Sequence, residues 1–218
     1  MLTQYHIEIM LNALGDRFSA RAISEIIYAN AGQDRFSGQV GHDEYHFDNN
    51  AFEKSYVYIE EQRALTVSAL QKNDALSAWS AFGRMTHTLQ DFYAHSNYIT
   101  LWLNRFDYSP RSKAEWGGQA LPASSEVDPV DLTLIHSRDL HSGKVYYPFE
   151  LLYFIQRTRK FSLSILPKDS HAWMNLDSPE QGFKFEYAMQ AAIKRTVIEY
   201  EKTMLGFSEE MCRLFLDK

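Results

Sequence analysis

Residues 73–97 read NDALSAWSAFGRMTHTLQDFYAHSN, and this stretch decides the fold. Asn73 or Asp74 stands where a helix N-cap belongs. Trp79, Phe82, Met85, Leu89 and Phe92 then follow at steps of three and four, the spacing of one helical face. No proline falls between Asn73 and Pro110, so the segment to about Phe106 predicts one long helix or two in succession. Upstream, Asn50-Ala51-Phe52-Glu53 has capping-box spacing and opens a helix running to about Gln71. Earlier still, Ile7 to Leu14 ends at Gly15, and Phe18 to Ala29 carries a stripe of Ile23, Ile26 and Ile27 closed by Asn30-Ala31-Gly32.

Downstream, residues 107–146 hold Pro110, Gly117, Gly118, Pro122, Pro129 and Gly143, which predicts a long excursion with at most a short helix near 129–140. Pro148 fits the first turn of a helix to about Lys160. A loop over Leu166 to Gly182 precedes a last helix from Phe183 to Leu216. Val145-Tyr146-Tyr147 is the nearest thing to a strand, and it is short. The expectation is therefore an all-α, single-domain helical bundle over residues 1–218 with long loop insertions.

Of the 218 residues, 45% are hydrophobic and 23% charged, which fits a globule that buries a core without staples. Cys212 is the lone cysteine, so a disulfide scaffold is excluded. The 22 basic and 28 acidic residues give a net charge of −6, and no basic run supplies the footprint of a duplex-binding protein. That balance does not exclude a nuclease, because bound cations can supply local positive charge. No stretch approaches the ~18 uninterrupted apolar residues of a membrane span. Met1 to His6 lacks a basic region followed by an apolar run, so no signal peptide is read and the expected compartment is the cytoplasm. The oligomeric state is not legible. Eight histidines against one cysteine mean that any metal here is held by nitrogen and oxygen.

The chemistry sits on the deciding helix. His87, Asp91 and His95 stand at i, i+4 and i+8. Each step of four rotates only about 40° and climbs about 6 Å, so the three side chains form a ladder on one face. An i, i+4 pair of this kind can chelate one divalent ion, and Asp91 in the middle could bridge two. The plainer reading of any one of these histidines is a core residue bonded to a backbone carbonyl. Three ionisable groups in register beside Leu89, Phe92 and Tyr93 weigh against it, because burying them together without a cation is costly. A ladder supplies too few ligands to close a site. The remaining donors are expected from the polar loop, at Asp34 and His46, and from His6 on the first helix. As alternatives, Asp34 is a turn residue, His46 a loop anchor and His6 a solvated helix residue. His42 is read as exposed.

The string His87-Thr88-Leu89-Gln90-Asp91-Phe92-Tyr93-Ala94-His95-Ser96-Asn97 resembles the H-x-x-Q-D-F-Y-x-H-S-N signature of HET-C (heterokaryon incompatibility) family proteins. His46-Phe47-Asp48-Asn49 and Asn175-Leu176-Asp177-Ser178 match an upstream and a downstream element of the same family. The resemblance covers about residues 3–195. It implies kinship with zinc-dependent phospholipases C and single-strand-specific zinc nucleases, all-α proteins with a cluster of zinc ions. On that resemblance His6, Asp34, His46, His87, Asp91 and His95 are metal ligands. Asp34 also orients or deprotonates the attacking water, and His171 completes a further site, with His136, Asp139 and His141 as alternatives. The chain departs from that pattern in beginning Met-Leu-Thr where those enzymes use the amine of an N-terminal tryptophan. Its Asp91-to-His95 interval is also shorter than in the phospholipases, and a second helical H-x-x-x-E or H-x-x-x-D pair is missing. Two zinc ions are thus better supported than three.

The function so implied is a zinc phosphodiesterase of phospholipase C type, with a metal-activated water attacking a phosphoester, a phospholipid among the substrates. Tyr56, Tyr58, Tyr93, Tyr98 and Trp102 could line a choline-like headgroup pocket, with core packing as the plainer reading. Two alternatives stand beside it. One is a zinc nuclease acting on single-stranded nucleic acid, against which the acidic charge weighs. The other is a non-enzymatic recognition protein with a structural metal.

Overall fold

The structure is a computed structural model that describes residues 1–106, 121–155 and 157–218. It opens with α1 (Thr3–Leu14) and α2 (Ala20–Gly32), followed by two single turns, α3 (Phe36–Gln39) and α4 (Asp43–His46). The long α5 (Phe52–Gln71) and α6 (Ala75–His95) come next, then α7 (Tyr98–Asn104). Beyond them lie the short α8 (Leu132–Ile135), α9 (Leu151–Phe154), α10 (Arg159–Ile165) and α11 (His171–Met174). The long α12 (Lys184–Met204) and then α13 (Glu209–Leu216) complete the order. No strand occurs among the described residues; the pairs Ser96–Ser142 and Lys144–Ser170 form isolated bridges. The class is all-α; the main apolar core runs from Met1 through α6 to Phe215, and a small second cluster gathers Tyr153, Leu166 and Ala172.

Helix α6 is the axis of the bundle. Asp74 caps it by accepting from the Ser77 amide at 3.1 Å. Its end is set by Ser96, whose backbone turns extended at φ −102°, ψ 167°. From Ala78 nearly every residue is buried, because α2, α5 and α12 all pack against it. A helix hidden on all sides needs small residues where its neighbours cross. Gly83 is one: a Cβ there would collide with the Ile26 carbonyl oxygen and press on Ala29 and Asn30 of α2. At the N-terminal end, the Trp79 indole donates to the Phe215 carbonyl at 2.7 Å and ties α13 to the axis.

Several element boundaries differ from the sequence reading. The expected capping box at Asn50 is not made. Asn50 sits at φ 57°, and its side chain accepts from the Ser142 amide at 2.7 Å instead. The expected helix over 148–160 is broken into α9 and α10. The expected last helix breaks after Met204, and Ser208 opens α13 by accepting from the Met211 amide at 3.2 Å. The expected helix near 129–140 is the one turn of α8. The part of the excursion at 107–120, with Pro110, Gly117 and Gly118, lies outside the described residues. Tyr58, Tyr93, Tyr98 and Trp102 are buried core residues, and Tyr56 and Tyr93 border an apolar cavity on the side of α6 away from the ladder. Among the described residues no helix is long and apolar enough to cross a membrane.

Candidate metal centre

The interior face of α6 is polar where a core helix should be apolar. Thr86, His87, Gln90 and Asp91 are fully buried and His95 nearly so. His87, Asp91 and His95 form the ladder that their spacing requires, and other segments fold over it. Helix α1 brings His6, and the residue after the turn that closes α2 brings Asp34. The last residue of α4 is His46 and the first of α11 is His171.

The loop over His46-Phe47-Asp48-Asn49-Asn50 is shaped by backbone that non-glycine residues rarely adopt: Phe47, Asn49 and Asn50 all have φ between 53° and 57°. The kink at Phe47 turns both His46 and Asp48 toward the centre, with their carboxylate and imidazole partners on α6. Hydrogen bonds hold it there. Asn49 Oδ1 accepts from the Val145 amide at 2.8 Å, and the Asn50 amide donates to Ser142 Oγ at 2.9 Å. On the other side, Asn97 Oδ1 accepts from the His141 amide at 2.9 Å and its Nδ2 donates to the Asp139 carbonyl at 3.0 Å. Gly143 passes so close to His171 that a Cβ would press on its backbone. Asn49 and Asn50 on one side and Asn97 on the other thus clamp residues 139–145 against the site. In the third element, the Leu176 amide donates to the Ala94 carbonyl at 2.8 Å and delivers Asp177 beside His95.

Two donor groups result. His6, Asp34, His87 and Asp91 offer atoms that lie within 4.8 Å of one another, and so do Asp48, His95 and His171. Within the first, His6 Nε2 is 3.2 Å and His87 Nε2 3.0 Å from Asp91, while His87 lies 3.7 Å from Asp34. Two donors bound tetrahedrally to one zinc ion at ~2.1 Å are about 3.4 Å apart, so these separations fit a single ion. Asp91 is shared: Oδ1 faces His6 and the Met1 amine, and Oδ2 faces His46 at 2.8 Å and His87. The Met1 α-amino group lies 2.6 Å from Asp91, 3.0 Å from His95 and 3.1 Å from Asp177.

The tautomer of His6 is fixed by its surroundings. Its Nδ1 meets Gln90 Oε1 at 2.7 Å, an atom that can only accept, so Nδ1 carries the proton. Gln90 is itself locked by Asn30 and Thr196. His6 Nε2 lies 3.2 Å from the Asp91 carboxylate and has no hydrogen-bond partner among the described residues. A buried ring nitrogen set against a buried carboxylate is satisfied by a cation lying between them.

The electrostatics agree with a ligand set. Burial pushes Asp91 up, but the Met1 ammonium and the imidazoles of His95, His87 and His6 outweigh it and hold the carboxyl well below its usual range. Asp34 is lowered against its own burial by His87 and His6. Asp48 and Asp177 are lowered too: His171 and His95 outweigh burial at Asp48, and the Met1 ammonium and His95 outweigh it at Asp177. Burial, helped by His6, pushes His87 down to about 4, leaving its lone pair free. His46 and His95 are raised despite their burial, chiefly by Asp91. The Met1 amine stands at about 11, because Asp177, Asp91 and Asp34 overcome the effect of burial.

Every site residue expected from the sequence lies in this assembly, with His171 placed in the second group and His46 bridging toward Asp91. His136, Asp139 and His141 lie outside both donor groups. His141 instead meets the Asn97 amide nitrogen at 2.9 Å. Asp48 and Asp177 were not expected as donors, although both stand inside the quoted elements. Asp34 of the first group, all three donors of the second and His46 line a cleft of about 170 Å³ that also includes Phe36, Val40 and Tyr147, with Phe36 74% exposed; His6, His87 and Asp91 lie behind them.

A family model described as the VWA7 N-terminal domain matches residues 4–112, half of the chain. Von Willebrand factor A domain-containing protein 7 of Rattus norvegicus is 31% identical over 98 residues, covering 43% of this chain and 11% of the relative. The Homo sapiens protein of the same name is 29% identical over 136 residues, covering 62% of this chain and 14% of the relative. The chain thus spans about a tenth to a seventh of the length of these relatives. No solved structure matches. These matches overturn the HET-C resemblance, together with the hydrolase, phosphodiesterase and phospholipase C class that came with it. By the family model and the relatives that agree with it, the chain belongs to the VWA7 N-terminal domain family.

Proposed function

We propose that this domain binds divalent cations, zinc by its donor set, at the crossing of α1, α2 and α6. The observation that carries the reading is the unpartnered His6 Nε2 set 3.2 Å from the buried Asp91 carboxylate, with His87 and Asp34 completing four donors. Asp48, His95 and His171 form a second position, with Asp177 beside it. Mixed nitrogen and oxygen donors suit zinc, and manganese or iron(II) would accept the same atoms. Asp34, Asp48, Asp91 and Asp177 lie at the site and Glu150 lies 3.7 Å from His171; His46 and His95, both raised beside Asp91, offset part of that charge. Leaving such groups buried and uncompensated costs several kcal/mol, which a bound cation recovers.

A cation held by these residues would supply Lewis acidity and would lower the pKa of a water bound to it. The chain's own residues fix the imidazoles through Gln90 and the His46 carbonyl, keep the carboxylates ionised and leave one side open to the cleft. The test is metal analysis by mass spectrometry on protein purified without chelator, with Asp91→Asn and His87→Ala beside it. At least one zinc per chain is expected in the wild type, with loss in both variants. Wild-type protein that stays metal-free after dialysis against zinc refutes the proposal. The same samples are assayed against bis(p-nitrophenyl) phosphate. Metal-dependent turnover would add phosphoester chemistry to cation binding, and its absence with metal bound leaves a structural role.

A further inference from the structure

On the other side of α6 from the donors lies a second cavity of about 230 Å³. Its walls are apolar: Phe47, Leu89, Phe92 and Tyr93 belong to the core, and Leu132 and Ile135 of α8 close one side. Leu132 is 65% exposed and His136 is exposed, so this side opens to solvent. One cation lines the cavity, Arg195 on α12.

The charges around Arg195 are unevenly matched. Its Nη2 lies 2.7 Å from Glu199 Oε1, but the other oxygen of that buried carboxylate is taken by Arg63 at 2.5 Å. One carboxylate therefore serves two guanidiniums. Arg63 also reaches Glu60, on the solvent side, and no ion pair or hydrogen bond besides Glu199 serves Arg195 among the described residues. The Arg195 Nε is buried without a hydrogen-bond partner. That Nε is closed off from the cavity, but the Arg195 side chain keeps 17% of its surface accessible and lines the chamber, where a guanidinium sharing its one carboxylate accepts an oxygen anion. The positive charge reaches the cavity walls: burial raises the hydroxyl pKa of Tyr56 and Tyr93, and Arg195 opposes the rise in both. An apolar chamber with one convergent cationic donor is a small-molecule site in its general form. Its size falls between the ~150 Å³ cavity that admits benzene and the ~300 Å³ at which drug-sized pockets begin, which suits a chain of about eight carbons.

We propose that this cavity binds a small amphiphilic carboxylate, its apolar body against Phe47, Leu89 and Phe92 and its carboxylate on Arg195. The site is separate from the cation centre and stands whether or not the domain holds metal. The test is calorimetric titration of the whole chain with octanoate, with octan-1-ol as the uncharged probe of similar length. Octanoate binds at least about tenfold more tightly than octan-1-ol, the value of one charge-assisted hydrogen bond. Arg195→Gln removes that difference and Arg195→Lys keeps part of it. Ile135→Trp, placed at the half-buried rim, fills the chamber and abolishes binding of both probes. Equal affinity for the two probes, unchanged binding in Arg195→Gln, or no binding to wild-type protein overturns the proposal. So does an Ile135→Trp variant that is folded by circular dichroism yet binds octanoate as before.

Discussion

Asp91→Asn is the sharpest perturbation of the cation centre. The side chain is fully buried, and its two oxygens face different neighbours: Oδ1 faces Met1 and His6, Oδ2 faces His46 and His87. An amide of the same size keeps one oxygen, loses the charge and sets an NH2 where an acceptor is required. Changing an outer residue that merely orients a metal ligand weakens binding 10- to 100-fold, so loss of a shared inner donor weakens it by about 100-fold or more. Zinc at about 100 times the wild-type dissociation constant adds ~2.7 kcal/mol to the stability of the native state. The variant at the same concentration gains only ~0.4 kcal/mol. For a chain of this size that difference of roughly 2.3 kcal/mol is about 5–9 °C in Tm. Differential scanning calorimetry with zinc and again with chelator reads it directly. The wild type should show a zinc-dependent rise that chelator removes, and the variant almost none. An equal rise in both proteins would falsify the assignment of Asp91 as the shared donor.

Three further outcomes test the frame that positions the site. Gly83→Ala drives a methyl group into the Ile26 carbonyl of α2, and urea unfolding should show a loss of about 3 kcal/mol, the upper range for overpacking. Trp79→Phe removes the indole donor to the Phe215 carbonyl and should cost about 2 kcal/mol, seen as a lower urea midpoint with an unchanged slope. Ser19→Ala removes the oxygen that accepts from the Ala22 amide at the start of α2, and the expected cost is about 1 kcal/mol, or roughly 2–4 °C in Tm by thermal circular dichroism.

The ladder on α6 was legible because helical periodicity is a local property: four residues return nearly to the same face whatever surrounds them. The convergence of His6, Asp34 and His46 on that ladder was legible only as expectation, since nothing local says which loop folds over which face. Asp48 and Asp177 show where that reasoning stopped. Both stand in quoted strings, but their aim depends on the left-handed backbone at Phe47 and on the bond from Leu176 to Ala94, neither of which has a signature in residue type. The break before α13 was different, because its signal was present: Gly206 followed by Ser208, Glu209 and Glu210 is a stop and a cap, outweighed by the apolar period on either side. The family name failed for another reason. Short polar strings around a buried ladder report what an interior needs to stay satisfied, and they did not carry descent over the matched half of the chain.

The centre draws its first donor from His6 and its last from His171, with most of the polypeptide strung between them. No short loop closes any pair of groups except along α6 itself, so an ion cannot nucleate one corner of the molecule and wait for the remainder. Capture comes after the helices have assembled. An ion seated there would act as a latch on the finished bundle, tying together segments far apart in the chain.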